Sequence, residues 1–155
     1  TFVPGIIAIK NMIEIERKFL VTSHEYRNAP VKHIRQGYVC SADNRVVRVR
    51  IRDNEAFLTL KNATIGFARN EYEYPIPLHD AEEMLTTMCR QPIIDKHRYL
   101  YEFDGNLWEI DEFHGNHEGL IIAEIELEHT DQVFSKPSFI GEEVTGNPDY
   151  YNSNL

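Results

Sequence analysis

Carboxylate and cationic side chains recur at every second residue along this chain, in blocks that mostly carry one sign. Glu14, Glu16 and Lys18 lie opposite Ile13, Ile15 and Phe19, and Arg48, Arg50 and Arg52 lie opposite Val47, Val49 and Ile51. Thr59 with Lys61, then Arg69 with Glu71 and Glu73, then Lys96 with Arg98, continue the series. Glu109 with Asp111 follows, and last come Glu124, Glu126 and Glu128 opposite Ala123, Ile125 and Leu127. Side chains two apart in an extended strand share a face, so each block puts its charges on one side. Clustered carboxylates offer the all-oxygen donors that Mg²⁺ or Mn²⁺ take, while Arg forks and Lys ammonium groups bind phosphate oxygens.

Any one of these blocks reads equally as an amphipathic strand whose charged face meets water. Taken together they resist that reading, because a solvated face mixes Ser, Thr, Lys and Glu, whereas here whole strands are cationic or anionic. Carboxylates on alternate residues stand about 7 Å apart, which at an effective dielectric near 20 is roughly 2.4 kcal/mol of repulsion per neighbouring pair on an enclosed face. Two arrangements compensate: cross-strand salt bridges on an open sheet, or a closed barrel whose charged interior holds a divalent cation and a polyanion. The second accounts for more of the pattern, since carboxylates of the first and last strands become neighbours where a barrel closes.

The elements that must position these groups follow from the same period. Eight strand-like segments of alternating pattern are expected, at residues 13–21, 34–40, 45–52, 57–61, 69–74, 93–103, 107–113 and 121–129. Ser41-Ala42-Asp43-Asn44, Asp53-Asn54-Glu55 and Asp104-Gly105-Asn106 are turn chemistry, which predicts hairpins and an antiparallel sheet. One helix is expected, opened by a capping box of Asp80 with Glu83, carried by Ala81, Met84, Leu85 and Met88, and stopped at Gln91-Pro92. Short helices are expected at residues 23–28 and near the C-terminus. The polar tail 142–155 carries Tyr150, Tyr151 and Leu155 and is expected to dock on the sheet.

The chain has 155 residues, 42% of them hydrophobic, and a formal net charge of -9. That is long and apolar enough for one folded domain, too charged for a membrane protein, and too acidic for non-specific binding to nucleic acid or anionic lipid. Cys40 and Cys89 are too few for a disulfide framework or a zinc site, so buried thiols in a reducing, cytoplasmic setting are expected. Residues 1–11 read as an upstream extension and residues 12–155 as the single domain, Met12 being a plausible start. The seven histidines, His24, His33, His79, His97, His114, His117 and His129, show no metal-ligand spacing and are read as surface or scaffold. Gly115 and Gly119 frame a turn, since no phosphate-loop pattern exists. Trp108 is assigned to packing. Tyr38 shares a strand face with Gln36, and its phenol is read both as packing and as a group that orients a phosphate or a water.

Glu14-Ile-Glu16-Arg-Lys18 is an ExExK motif, and with it the chain resembles the CYTH family of triphosphate tunnel metalloenzymes in their short bacterial form. Further blocks resemble that family in order: Gln36-Gly37-Tyr38, Val47-Arg48-Val49-Arg50, Leu58-Thr59-Leu60-Lys61, Arg69 with Glu71 and Glu73, Asp95-Lys96-His97-Arg98-Tyr99, Trp108-Glu109-Ile110-Asp111, Ala123-Glu124-Ile125-Glu126-Leu127 and Glu143-Val144-Thr145. The resemblance implies an α+β fold, an eight-stranded antiparallel β-barrel with helices packed outside, that hydrolyses or rearranges triphosphates with a divalent metal. By the same resemblance Lys18, Arg48, Arg50, Lys61, Arg69, Lys96 and Arg98 bind the triphosphate. Glu14, Glu16, Asp111, Glu124 and Glu126 hold Mg²⁺ or Mn²⁺, with Glu128 a weaker candidate.

Glu16, Glu126 and Tyr38 are the expected catalytic set, and Glu71 and Glu73 orient water or the basic partners. The expected activity is metal-dependent hydrolysis of inorganic tripolyphosphate or nucleoside triphosphates. The alternatives are an adenylate cyclase of class IV type, for which no base pocket is marked, and a non-catalytic polyphosphate-binding or nucleotide-binding module. The expected partner is a small-molecule triphosphate, with neither nucleic acid nor membrane, and a homodimer is left open.

Overall fold

Alternating sequence becomes strand nearly wherever it was expected. The computed structural model describes residues 15–63 and 70–155. Its strands are β1 (Ile15–Val21), β2 (Val31–Ala42), β3 (Arg45–Arg52), β4 (Glu55–Lys61), β5 (Glu71–Ile76), β6 (Ile94–Phe103), β7 (Asn106–Phe113), β8 (Ile121–Leu127) and β9 (Ile140–Glu143), with one α-helix, α1 (Leu78–Thr87). Single 3₁₀ turns occupy Glu25–Asn28, Gly115–His117, Pro148–Tyr150 and Asn152–Asn154. The nine strands hydrogen-bond in the order β5-β4-β3-β2-β6-β7-β8-β1-β9. The β1–β8, β1–β9, β3–β4, β4–β5, β6–β7 and β7–β8 pairs are antiparallel. A ninth strand thus joins the expected eight, and among the described residues the hydrogen-bonded order ends on β5 and β9. The expectations for residues 1–14 and for Arg69 lie outside the described residues. No helix among the described residues is long and apolar enough to cross a membrane.

The hairpin turns form because Asp, Asn and Gly tolerate positive φ. Asp43 and Asn44 sit at φ 52° and 61°, Asp53 at 52°, and Asp104 with Gly105 at 49° and 78°. Two successive residues of that kind match the right-handed twist of the flanking strands. The contacts divide the chain into two compact units, one of Gln36–Ile93 and one of residues 15–35 with Ile94–Leu155.

In the unit Gln36–Ile93, Val49, Ile51 and Ala56 pack against Ala81, Leu85 and Cys89, the last three at the i, i+4, i+8 spacing of one helix face. The helix begins two residues before the expected capping box. Pro77 presets its own φ at -59° at the N-cap, where no side chain caps, and Asp80 falls in the first turn, where a carboxylate suits the helix dipole. Glu83 instead faces His79 one turn earlier, at 3.2 Å. Met88, expected on the buried face, is the C-cap and 57% exposed, and Cys89 takes the buried position. Of the two thiols expected to be buried, Cys89 is, and burial pushes its ionisation up; Cys40, beside the β2–β3 turn, is exposed.

In the other unit Phe19, Tyr26, Trp108, Ile110, Ala123, Ile125, Leu127 and Phe139 form the core, Trp108 meeting Phe19 edge-on at 5.6 Å. Beyond it lie three histidines. His33 stacks on His97 with ring centres 4.7 Å apart, His97 Nδ1 and His114 Nε2 share a hydrogen bond of 2.7 Å, and His33 Nε2 bonds Asp95 at 2.8 Å. Scaffold is thus their place. The His97 ionisation is lowered by burial first and then by the two neighbouring imidazoles.

Two outcomes follow from this packing. A Cβ on Gly37 would stand 2.7 Å from Cys89 Cβ and 3.1 Å from Ile93 Cγ2, so Gly37→Ala is expected to destabilise by about 1–3 kcal/mol in urea denaturation. Because the folded state holds His97 below its unfolded value of about 6.5, the unfolded chain takes up the proton first as pH falls. Stability is therefore expected to decline from pH about 6.5 downward, and His97→Gln to flatten that decline in urea titrations at stepped pH.

Candidate functional site

In each unit a cluster of ionised groups stands on the sheet face opposite the apolar core. In the unit Gln36–Ile93 the register sets Arg48 across from Thr59, and Thr59 and Lys61 across from Glu73 and Glu71, so these side chains share a face. Arg48 Nη2 donates to Thr59 Oγ1 at 3.3 Å, and that hydroxyl donates to Glu73 Oε2 at 3.2 Å. Glu71 and Glu73 each lie 4.0 Å from Arg48 Nη2, and Lys61 Nζ is 3.8 Å from Glu71. Arg48 is 7% exposed, yet its Nε has no hydrogen-bond partner among the described residues. Arg50 Nε donates to Gln36 Oε1 at 2.8 Å, and the Gln36 amide reaches Tyr38 Oη at 3.5 Å. Among the described residues four cations, Arg48, Arg50, Arg52 and Lys61, stand on this face with three carboxylates, Glu55, Glu71 and Glu73, which leaves it positive and suited to an anion of several charges.

In the other unit β1, β8, β7 and β6 bring the opposite balance together. Glu16 lies across from Glu126 and Lys18 across from Glu124, Glu109 across from Glu124, and Arg98 across from Asp111. Lys18 Nζ is 3.3 Å from Glu124 and 3.8 Å from Glu16; burial opposes its charge, but the two carboxylates outweigh that and raise its ionisation. Asp111 is buried, with Lys96 Nζ donating to Oδ2 at 2.8 Å and Arg98 forking onto both oxygens at 2.8 and 2.9 Å. Burial alone would favour its protonated form, yet Lys96 and Arg98 hold it far below the usual carboxylate range. Arg98 also ion-pairs with Glu109, and burial, which opposes its charge, is outweighed by Asp111 and Glu109. Lys96, 0% exposed, further donates to Asn152 Oδ1 at 3.0 Å, and the Tyr151 ring lies under Lys18 Nζ at 5.5 Å, so the tail docks as expected.

Across β1, β6, β7 and β8 three cations, Lys18, Lys96 and Arg98, share this face with six carboxylates, Glu16, Glu102, Glu109, Asp111, Glu124 and Glu126. Carboxylates directly opposed across a ladder repel, and here two such pairs occur, Glu16 with Glu126 and Glu109 with Glu124. Opposed oxygen donors of this kind fit a hard divalent cation. Among the described residues no three carboxylates, histidines or cysteines already converge at metal-holding distance; Glu14, expected in that set, and Arg69, expected among the phosphate ligands, lie outside the described residues. Asp111, also expected as a metal ligand, has both oxygens engaged by Lys96 and Arg98. Glu128 falls just beyond β8, where its backbone N–H donates to Gln132 Oε1 at 2.7 Å.

The neutral members Gln36, Thr59 and Asn152 were not among the expected site residues. Strand period already put Gln36 and Thr59 on the charged face, whereas nothing in the tail marked Asn152. Glu109 was visible in the alternation with Asp111, and the register explains its place.

The CYTH domain sequence profile matches residues 12–152. An inorganic triphosphatase from Acetivibrio thermocellus is 48% identical over 143 residues, 92% of each chain. An inorganic triphosphatase from Nitrosomonas europaea is 37% identical over 148 residues, 93% of this chain and 97% of its own. Among solved structures, an inorganic triphosphatase 35% identical in sequence superimposes with a TM-score of 0.71, over 91% of this chain and 92% of its own.

The buried trio yields a stability test. Asp111→Asn takes the shared anion away from buried Lys96 and half-buried Arg98 and is expected to destabilise by about 3–5 kcal/mol, read as a lowered urea midpoint.

Proposed function

This chain belongs to the CYTH domain family, and we propose that it hydrolyses inorganic triphosphate at the charged sheet faces described above. It is a hydrolase of phosphoric anhydrides, as its triphosphatase relatives are. The observation that carries the reading is the split of charge: a face with cations in excess suits the triphosphate, and a face with carboxylates in excess suits a metal.

In the reaction a water oxygen bonds to a terminal phosphorus as the bridging P–O bond breaks, releasing orthophosphate and pyrophosphate. The triphosphate carries dense negative charge, so the protein's task is to place it and neutralise it. Arg48 and Arg50 offer planar forks and Lys61 a point charge, and Lys18, Arg69, Lys96 and Arg98 complete the proposed phosphate ligands. Arg48 Nε, without a partner among the described residues, fits this role, since a buried donor without an acceptor is costly until a ligand oxygen meets it. Glu71 and Glu73 hold Arg48 and Lys61 in place, and Tyr38 donates toward a phosphoryl oxygen. Mg²⁺ or Mn²⁺, when bound, would neutralise phosphate charge and lower the pKa of a coordinated water; Glu16, Glu124 and Glu126, with Glu14, are the residues that would hold it. Asp111 keeps Lys96 and Arg98 ordered.

Phosphate release from tripolyphosphate and from ATP, each with Mg²⁺, Mn²⁺ or EDTA, tests the reading. Orthophosphate from tripolyphosphate that appears with metal and vanishes with chelator is expected. Cyclic AMP from ATP, or silence in every condition, would overturn it. Glu126→Gln, which relieves the repulsion with Glu16, is expected to cut turnover by at least about 100-fold with an unchanged or raised melting temperature. Activity within twofold of the parent would remove Glu126 from the site.

A further inference from the structure

Gln36 is 0% exposed and so reaches neither solvent nor substrate, yet its side chain joins two groups that the proposed reaction uses. The direction of this small network is set by chemistry. An arginine has no acceptor, so the atom that meets Arg50 Nε at 2.8 Å is the amide oxygen. The amide nitrogen therefore faces Tyr38 Oη, at 3.5 Å, and in that long contact the phenol oxygen accepts. A phenol that accepts from Gln36 retains its own proton for a third group. The amide oxygen that meets Arg50 Nε is neutral and adds no negative charge of its own. Gly37 packs the other side of the same stretch against Cys89 and Ile93, which fixes the backbone that carries both Gln36 and Tyr38.

We propose that Gln36 is a positioning residue of the triphosphatase reaction: it aims the Arg50 guanidinium and turns the Tyr38 hydroxyl so that its proton points to a phosphoryl oxygen. The inference rests on the reading that Arg50 and Tyr38 serve the triphosphate. A side chain that merely filled space would leave KM and kcat of the folded enzyme alone. One that positions must alter them in a pattern set by hydrogen-bond direction.

Gln36→Glu is the informative variant. Its carboxylate accepts from Arg50 and from the Tyr38 hydroxyl alike, so it offsets the guanidinium charge and turns the phenol proton inward. With tripolyphosphate and Mg²⁺, KM is expected to rise at least fivefold and kcat to fall at least tenfold, with the melting temperature within a few degrees of the parent. In a Tyr38→Phe background the kcat loss is expected to vanish while the KM rise persists, since no hydroxyl remains to be turned. Gln36→Met, which keeps the volume and removes both bonds, supplies the same comparison should the charged variant not fold, and is also expected to raise KM at least fivefold. KM and kcat within twofold of the parent in the folded variant, or an equal kcat loss with and without the Tyr38 hydroxyl, would overturn the inference. Arg50→Ala separates the two levels. If it weakens tripolyphosphate turnover while the Gln36 variants do not, the site stands and the positioning role falls; if it has no effect, both fall.

Discussion

Asp111 held ionised between Lys96 and Arg98 is the interaction on which the charged face of its unit depends. A carboxylate taken out of water is strongly disfavoured unless its charge and its lone pairs are both met. Here a point charge and a planar fork meet them, at 2.8 Å and at 2.8 and 2.9 Å. The consequence is rigidity. With Arg98 also on Glu109 and Lys96 also on Asn152, β6 presents its cations in one orientation against the carboxylates of β7, and the tail is tied to the same cluster. Such order is what catalysis by electrostatic positioning needs, since dipoles and charges set before substrate arrives need not reorganise during the reaction.

The other unit reaches order by a different route. Arg48 is enclosed but its carboxylate neighbours stand off at 4.0 Å, and a hydroxyl from Thr59 and an amide from Gln36 bond Arg48 and Arg50 directly. Neutral acceptors fix a guanidinium and leave its field intact, so this face remains attractive to a polyanion. A cation locked by carboxylates and a cation locked by amides are thus two solutions to one problem. The first builds scaffold within a site, and the second keeps binding strength.

The apolar faces show how such sites are supported. Period two puts Phe19, Ala123, Ile125 and Ile110 behind the carboxylates of β1, β8 and β7, and Val49 and Ile51 behind the arginines of β3. Every apolar contact behind a strand therefore helps set the pitch of the charges in front of it. The short strand β9 adds a clamp on β1: Arg17 forks onto Glu143 at 2.7 and 2.6 Å, pulling the ionisation of that carboxyl down to about 2 through the hydrogen bond it donates. Thr145 Oγ1 accepts from the backbone N–H of Lys18 at 2.9 Å. Lys18, on the charged face, is in this way braced from behind by a segment far along the chain.

Local sequence by itself determined the strands, the hairpin turns and the sign of each charged face, because side-chain alternation and the φ preference of Asp, Asn and Gly act over a few residues. It also determined the family, through motifs carried in order from Glu14 onward. Tertiary structure alone decided which charges become partners. Lys96 and Arg98 both converge on Asp111, Glu16 meets Glu126, and Asn152 reaches Lys96 from 56 residues away. The exposure of Cys40 and the existence of β9 were likewise decided by packing. The physical reason is range: alternation says which face a side chain takes, but register and long-range pairing say what it meets there, and charge is costly or useful according to what it meets.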